Sequence, residues 1–500
     1  MKVCLINPPW STLKGYEDRI RVPYPIGIAY IAAYLEKNGI DVKIIDALAS
    51  GWNNFDYRED GTVRVGLSEE KIKSEIKMYK PDLVGITCLF TTQADNMYRT
   101  AELVKEIDRD LPVVVGGAHP SSVPHECIKS ESIDYVVRGE GEITTYELAN
   151  SIRGKIQLRE VKGLLFKENG EIVENEPREF IKDLDSLPFP AYHLLPMERY
   201  FEAGEKGLTS RGFTVKKWVS IITSRGCPYN CFFCSVGAVS GRVWRARSPK
   251  NVVDEIEFLV NKYGIEHIFF EDDNMIIDIK RAENIFEEII RRGIKITWET
   301  PNGIRADRLN ENLLKKMKQS GCTNLVIGIE NGNQEFLNRV IRKNLDLKKV
   351  EEAVKMITKE GIQLKGFFII GIPGENEKIV NDTINFARKL ARMGMVPLFG
   401  IATPLPATDM YDYAKKMGYL VKKNITPLDL MLGYSIPLLK TEDYSPEDLI
   451  KWKKKAVLLT SLELLIHHPG VLLKTHSVQE IIKNPSSLFK RVKMVLEGTA

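Results

Sequence analysis

What this chain lacks narrows the field first. It has only 7 cysteines in 500 residues, at positions 4, 88, 127, 227, 231, 234 and 322. An odd number with a single tight group excludes a disulfide framework and points to reduced thiols, three of them gathered for metal. Long apolar runs are missing too. The strongest, Ala456 to Ile466, is interrupted by Glu463 and falls short of the ~20 residues a bilayer span needs, so no transmembrane helix is expected. Charge of one sign is absent: 71 basic and 67 acidic residues leave a net +4, with no field to attract nucleic acid and no clear nucleic-acid signal. No charged leader with an apolar core precedes the strand-like Lys2-Val3-Cys4-Leu5-Ile6, so a cytoplasmic location is expected. No solenoid-type repeat is found.

What is present is ample apolar material, 43% hydrophobic against 28% charged, in a chain long enough for about three domains at ~150 residues each. Up to residue 151, short apolar runs alternate with helical patterns. Lys2 to Ile6, Val42 to Ile45, Leu83 to Thr87, Val113 to Val115 and Tyr135 to Val137 are the expected strands, with helices over Ile26 to Lys37 and Met97 to Ile107. The expectation is an α/β domain with a doubly wound parallel sheet, which takes ligands beyond the carboxyl ends of its strands. There stand Asn7-Pro8-Pro9, Thr87-Cys88-Leu89, Gly116-Gly117 and Gly139-Glu140-Gly141-Glu142.

Residues 152 to 217 break the rhythm. Leu164-Leu165-Phe166 and Glu171-Ile172-Val173 flank Asn169-Gly170, a hairpin signal, and prolines follow, so a hairpin and linker are expected. From 218 to 425 a second βα series begins, with strands at Val219 to Thr223, His267 to Glu271, Lys295 to Glu299, Leu325 to Ile329, Gly366 to Ile370 and Leu398 to Ala402. Six such units make a partial (β/α)6 barrel. From 426 to 500 a helical cap is expected, finishing in Leu472, Leu473, Ile481, Ile482, Leu488, Phe489 and Val492 interleaved with Lys474, Lys483, Lys490, Arg491 and Lys493. A helical cap on the barrel is the favoured reading of this finish, with peripheral membrane contact as the alternative.

The segment that decides the chemistry is Ser224-Arg225-Gly226-Cys227-Pro228-Tyr229-Asn230-Cys231-Phe232-Phe233-Cys234, directly after the first barrel strand. Structural zinc wants four protein ligands, and no histidine or further cysteine lies nearby to supply the fourth. A four-iron cubane held by three thiolates keeps one iron open, and an open iron is a substrate site.

This motif, opening a six-strand βα barrel, resembles that of the radical S-adenosylmethionine (SAM) superfamily. The resemblance implies a 4Fe-4S cluster on Cys227, Cys231 and Cys234, with SAM chelated to the open iron and cleaved reductively, and Phe233 matches the family pattern before the third cysteine. It places Glu271 and Asp272 in Phe269 to Asn274 near the methionine amino group. Asn302 and Arg305 follow the third strand, the arginine as a fork for the SAM carboxylate. Glu330, in Gly328-Ile329-Glu330-Asn331-Gly332, becomes a ribose hydroxyl acceptor, and Gly371, in Gly366 to Glu375, packs near the adenine. Thr403-Pro404-Leu405-Pro406-Ala407-Thr408 is similar to the sixth-strand motif, with Ala407 where glycine is usual. Taken singly, each carboxylate fits a helix cap or an ion pair equally well; their recurrence after successive strands joins them.

The front domain resembles the cobalamin domain that precedes many radical SAM cores. Thr87, Leu89, Gly116, Gly117, Gly139 and Glu140 would then bind cobalamin, the small residues letting its dimethylbenzimidazole arm enter along the sheet edge. The Asp-x-His-x-x-Gly motif that supplies an imidazole to cobalt is absent, so the base is expected to be displaced without a protein imidazole in its place. His119 and His125 lie near the right loops but are read as ordinary histidines. Implied is a cobalamin-dependent radical SAM enzyme, most simply a methyltransferase acting on an unactivated carbon or phosphorus centre. Its substrate would be a small molecule or lipid-like, and its electrons would come from a reducing protein such as ferredoxin or flavodoxin. Ring formation or carbon-carbon coupling without methyl transfer, and a non-catalytic cobalamin-binding module, are the alternatives.

Overall fold

The computed structural model describes residues 1–212, 214–433 and 436–473. The chain divides into two compact units, Met1–Cys227 with Val236–His267, and Pro228–Ser235 with Ile268–Ala500.

In the first unit the strands are β1 (Lys2–Asn7), β2 (Trp10–Leu13), β3 (Asp41–Asp46), β4 (Phe55–Tyr57), β5 (Thr62–Val65), β6 (Leu83–Thr87), β7 (Val113–Gly116), β8 (Tyr135–Val137), β9 (Leu164–Glu168) and β10 (Glu171–Glu174). A sheet runs in the order β10-β9-β8-β7-β6-β1-β3, its strands parallel from β8 to β3. All five expected strands are there, and their order reverses between β1 and β6. That is the switch point where a doubly wound sheet opens a crevice. The strands are almost wholly buried because helices cover both faces, which is why they read as continuous Val/Ile runs rather than alternating ones. Helix Ile26–Lys37 buries Ile28, Ala29, Ala32, Ala33 and Leu35 and ends before Gly39 at φ 74°.

The hairpin forms as expected, with Asn169 at φ 50° and Gly170 at φ 84° making the turn. Its role differs from the linker expected of it: β9 pairs antiparallel with β8, so the hairpin completes the front sheet. Hydrophobic pattern cannot reveal such long-range pairing. For the same reason the small antiparallel sheet β2-β5-β4 was not foreseen. This unit also holds β11 (Trp218–Ile221), β12 (Ser224–Arg225) and β13 (Arg245–Ala246), the last two paired antiparallel. Helix Pro249–Tyr263 follows, capped by the Ser248 hydroxyl accepting from the Asn251 N–H and closed by Gly264 at φ 67°.

In the second unit β14 (His267–Phe270), β15 (Thr297–Ile304), β16 (Cys322–Glu330), β17 (Gln363–Ile370) and β18 (Val396–Ile401) lie side by side in sequence order, parallel from β15 to β18. With β11, these are the six strands expected. Strand β15 outruns its expected end at Glu299: Pro301 and Gly303 read as a strand terminus, but register shifts let the backbone pass them and continue to Ile304. Helices Ile279–Arg291, Glu311–Gln319, Leu347–Lys359 and Glu377–Ala391 alternate with the strands. Each is opened by an Asp or Asn side chain that accepts a backbone N–H.

The carboxyl-terminal part is helical, with Pro427–Leu432 and Pro446–His467. The longer helix buries Leu449, Trp452, Ala456 and Leu464 together with Glu463, whose carboxyl Arg392 and Arg388 hold down at about 2. Among the described residues no helix is long and apolar enough to cross a membrane. The basic apolar finish from Lys474 onward lies outside the described residues.

Candidate active site

The cysteine motif starts at a turn only glycine can make. Gly226 sits at φ 82°, and a Cβ there would meet the Val243 carbonyl oxygen at 2.5 Å. The Cys227 N–H then donates to Gly241 O at 3.3 Å, and the Cys234 N–H to Cys231 O at 3.1 Å. In the second unit, the Phe232 N–H donates to Ile341 O and Phe232 O accepts from the Met410 N–H, each at 3.0 Å. Tyr229 lies under the Arg305 guanidinium, 3.9 Å from ring centroid to carbon. Cys227, Cys231 and Cys234 are all partly exposed, as is Phe233, and none of the seven cysteines is in a disulfide.

The other four thiols are buried. Burial pushes Cys4 up to about 12 and Cys127 up to about 11, and raises Cys88 and Cys322 further still, so they remain inert thiols. Among the described residues no three His, Cys, Asp or Glu side chains converge as a single-ion site requires. A cubane, which takes one thiolate per iron, does not ask for that convergence.

The strand ends of the second unit carry the residues expected there, already joined to one another. Asn302 Nδ2 donates to Glu271 O at 2.8 Å beside the buried Asp272. Arg305 is buried and donates to both oxygens of Asp307 at 2.9 Å and to the Lys343 and Asn344 carbonyls at 2.8 Å. Its fork therefore braces the 343–344 turn against Asp307. Glu330 stands at φ 73°, unusual for a side-chain-bearing residue, and its carboxylate accepts from Lys343 Nζ at 2.8 Å. Both are more than nine-tenths buried, at 7% and 8% exposure. Burial by itself would lower the Lys343 ammonium, but Glu330 and Cys231 outweigh it and hold it above the ordinary lysine range.

Gly371, at φ 94°, donates its N–H to Glu375 Oε2 at 2.5 Å, and its carbonyl accepts from the Tyr444 hydroxyl at 2.6 Å. Glu375 also accepts from Asn331 Nδ2 at 2.6 Å, which ties the end of β16 to the end of β17. Fully buried with no cation beside it, its carboxyl is pushed up to about 8. Lys343 and Glu375 are the positions the motif reading left without a role. Glu375 was visible as the last residue of a glycine-rich motif, whereas nothing in the neighbourhood of Lys343 marks it.

At the carboxyl edge of the front sheet, Thr87, Leu89, Gly116, Gly117 and Gly139 fall together as expected. The Cys88 N–H donates to Gly116 O at 2.9 Å, the His119 N–H to Cys88 O at 3.1 Å and the Gly139 N–H to the Ser121 hydroxyl at 3.0 Å. Three successive strand ends are thus stitched into one rim. A Cβ on Gly117, at φ 105°, would meet Cys88 O at 2.7 Å. Leu89 and Phe90 are about half exposed, at 50% and 47%. Glu140 is already engaged: Arg225 and Arg245 donate to it at 2.9 and 2.7 Å, and so does the Ile181 N–H at 2.7 Å. Arg225 reaches Glu142 as well, at 2.7 Å, so this acidic loop clamps the arginine that precedes Gly226 and Cys227. His125 is a surface residue paired with Glu174 at 3.0 Å. His119 is buried, and its Nε2 has no hydrogen-bond partner among the described residues.

Two family models match the chain: a B12 binding domain over residues 21–149 and the Radical SAM superfamily over 221–387. An uncharacterized methyltransferase of Pyrococcus horikoshii is 35% identical over 95% of this chain and 94% of its own. The cytidylyl-2-hydroxyethylphosphonate methyltransferase of Streptomyces wedmorensis is 31% identical over 84% and 82%. The chain belongs to the cobalamin-dependent radical SAM enzymes. The structure of the radical SAM methyltransferase TsrM from Kitasatospora setae with cobalamin and a [4Fe-4S] cluster has the same fold. Its TM-score is 0.66 at 19% identity, covering 92% of this chain and 88% of that one.

As a cobalamin-dependent radical SAM enzyme, the chain uses a 4Fe-4S cluster, SAM and cobalamin, and its residues fit the cluster and cobalamin. The cysteine motif offers three accessible thiols on a glycine-turned loop, the donor set of an open cubane. At the front rim there is a close-packed glycine, two exposed apolar side chains and an unsatisfied buried imidazole nitrogen, which suit a large, mostly apolar ring with polar arms.

Proposed function

We propose that this enzyme is a methyltransferase that uses SAM twice, once as radical source and once as methyl donor, to methylate an unactivated carbon or phosphorus centre. The observation that carries the reading is the near full-length similarity to two methyltransferases at 35% and 31% identity. The cluster ligands are Cys227, Cys231 and Cys234. When bound, the cluster supplies the electron that cleaves SAM, and cobalamin supplies the methyl group.

The chain's own residues bind and orient. Glu271 and Asp272 line the amino-group side of SAM, Asn302 steadies Glu271 through its carbonyl, and Glu330 takes the ribose hydroxyls from a position Lys343 fixes. Arg305 holds Tyr229 and the 343–344 turn, with Gly371 keeping the adenine side narrow. Thr87, Leu89, Gly116, Gly117 and Gly139 receive cobalamin in a front domain of residues 1–151. Glu140, through its ion pairs, anchors the rim. Residues 218–425 form the barrel domain, preceded by 152–217, whose hairpin completes the front sheet, and followed by the helical 426–500. The substrate is a small or lipid-like molecule, and the reductant is a ferredoxin or flavodoxin in the cytoplasm.

Anaerobic turnover with labelled SAM tests the assignment. Methyl transfer requires 5′-deoxyadenosine and S-adenosylhomocysteine in about equal amounts per methylated product, since holding both reactions on one scaffold couples them. Deoxyadenosine and altered substrate without S-adenosylhomocysteine, in protein that holds cobalamin, would replace methyl transfer by ring formation or coupling.

A further inference from the structure

Among the described residues of the three strand-end loops Thr87–Thr91, Gly116–Ser121 and Gly139–Glu142, one buried side-chain nitrogen has no hydrogen-bond partner. His119 is 6% exposed, its Nδ1 lies 3.2 Å from the Thr91 hydroxyl, and its Nε2 is buried with no hydrogen-bond partner. An imidazole nitrogen sealed from water and left unpaired costs about 1 to 3 kcal/mol, so it calls for an explanation. The residue is not loosely placed. Its backbone N–H is bonded to Cys88 O, Gly117 before it packs where no side chain fits, and Ser121 after it holds the Gly139 N–H. No acidic side chain is paired with the ring, and burial pushes it down to about 4, so it is neutral at physiological pH.

We propose that the Nε2–H of His119 is reserved for the nucleotide arm of cobalamin, donating to an acceptor there, and that His119 is not a ligand of cobalt. The inference rests on the front domain's holding cobalamin. Two observations choose the arm over the corrin ring. The apolar side chains left open to solvent, Leu89 and Phe90, can meet a broad flat ring, whereas Nε2 lies below the surface, out of reach of such a ring. The arm's phosphate, ribose and base nitrogens are chiefly acceptors. The 3.2 Å contact between Nδ1 and the Thr91 hydroxyl is compatible with the tautomer in which the hydroxyl donates to Nδ1 and Nε2 carries the proton, and that is the tautomer the arm's acceptors require.

Comparing cobalamin with cobinamide, which keeps the corrin and lacks the nucleotide arm, tests this by equilibrium binding to the full chain. His119→Phe, which fills the space without a donor, is expected to weaken cobalamin binding about ten-fold and leave cobinamide binding unchanged. His119→Gln puts an amide N–H near the Nε2 position and is expected to keep most of the affinity. His119→Asn places it near Nδ1 and is expected to lose it, so the pair decides the matter even where the Phe variant folds poorly. Equal loss for both ligands, or no loss for either when wild type binds cobalamin, overturns the inference. Nitrogen superhyperfine splitting in the Co(II) spectrum that vanishes in His119→Phe overturns it too, by making the imidazole a cobalt ligand. Failure of the wild-type chain to bind cobalamin at all would instead remove the reading on which it rests.

Discussion

The strand ends of the second unit and the rim of the first solve opposite problems. In the second unit, polar and charged groups are buried and already partnered: Glu330 with Lys343, Arg305 with Asp307, and Glu375 with backbone N–H groups. The front rim carries glycines, half-exposed Leu89 and Phe90, and an unsatisfied histidine nitrogen. A site for a small charged molecule gains from donors and acceptors fixed in advance, because they need no reordering when it arrives. A site for a large ring gains from space and apolar surface. The comparison teaches that preorganisation here is electrostatic in one unit and steric in the other.

The largest effect expected is at the cysteines. Replacing Cys227, Cys231 and Cys234 together by alanine should reduce bound iron to background and abolish deoxyadenosine formation, measured by iron assay and chromatography. Replacing the buried Cys4, Cys88, Cys127 or Cys322 singly should leave the iron content as it was, their thiols being kept protonated by burial. Iron lost from a buried-cysteine variant that still folds would break the distinction between accessible and sealed thiols.

Next comes the buried pair. Lys343→Met strands the Glu330 carboxylate and should destabilise the second unit by about 3 to 5 kcal/mol in denaturant unfolding, with Lys343→Met/Glu330→Gln recovering much of the loss. Both this variant and Arg305→Ala should lose deoxyadenosine formation while cobalamin binding persists. Parallel loss of both would blur the contrast between the two units.

A smaller effect depends on pH. Glu375 titrates near 8 in the fold against an ordinary 4.5, so the native state binds the extra proton between those values. The stability this carboxyl contributes is fully present below about 4.5 and is lost as pH rises through about 8. Glu375→Gln should flatten the fall in unfolding free energy expected of wild type between pH 5 and 8. An unchanged slope would mean that Glu375 is ionised in the fold.

The smallest effect is at Ala407, which occupies the left-handed region at φ 59° in an exposed turn where the sequence motif leads one to expect glycine. Ala407→Gly should stabilise by about 1 kcal/mol, readable as a modest rise in melting temperature. It sharpens the comparison by showing strain that serves neither site.

Much of this was legible beforehand because local chemistry marks it. Periodicity located all five parallel strands of the front sheet, Ser248-Pro249 and Gly264 bracketed their helix, and Asn169-Gly170 turned its hairpin. The spacing of Cys227, Cys231 and Cys234 set the three accessible thiols apart from the four buried ones. What escaped depends on partners far apart in the chain. The hairpin's place beside β8, the sheet formed by β2, β4 and β5, and the extension of β15 past Pro301 all rest on backbone pairing that no side-chain pattern announces.

By itself, then, the sequence determined the α/β class, the order of its domains and the thiols that can grip a cluster, because each is written in short-range spacing and hydrophobic period. Only the tertiary structure decided that Glu140 is occupied by Arg225 and Arg245, that Lys343 answers Glu330, and that His119 is left with a nitrogen to spare. Whether a polar group finds a partner is a matter of distance in space and exclusion of water, and neither exists until the chain has folded.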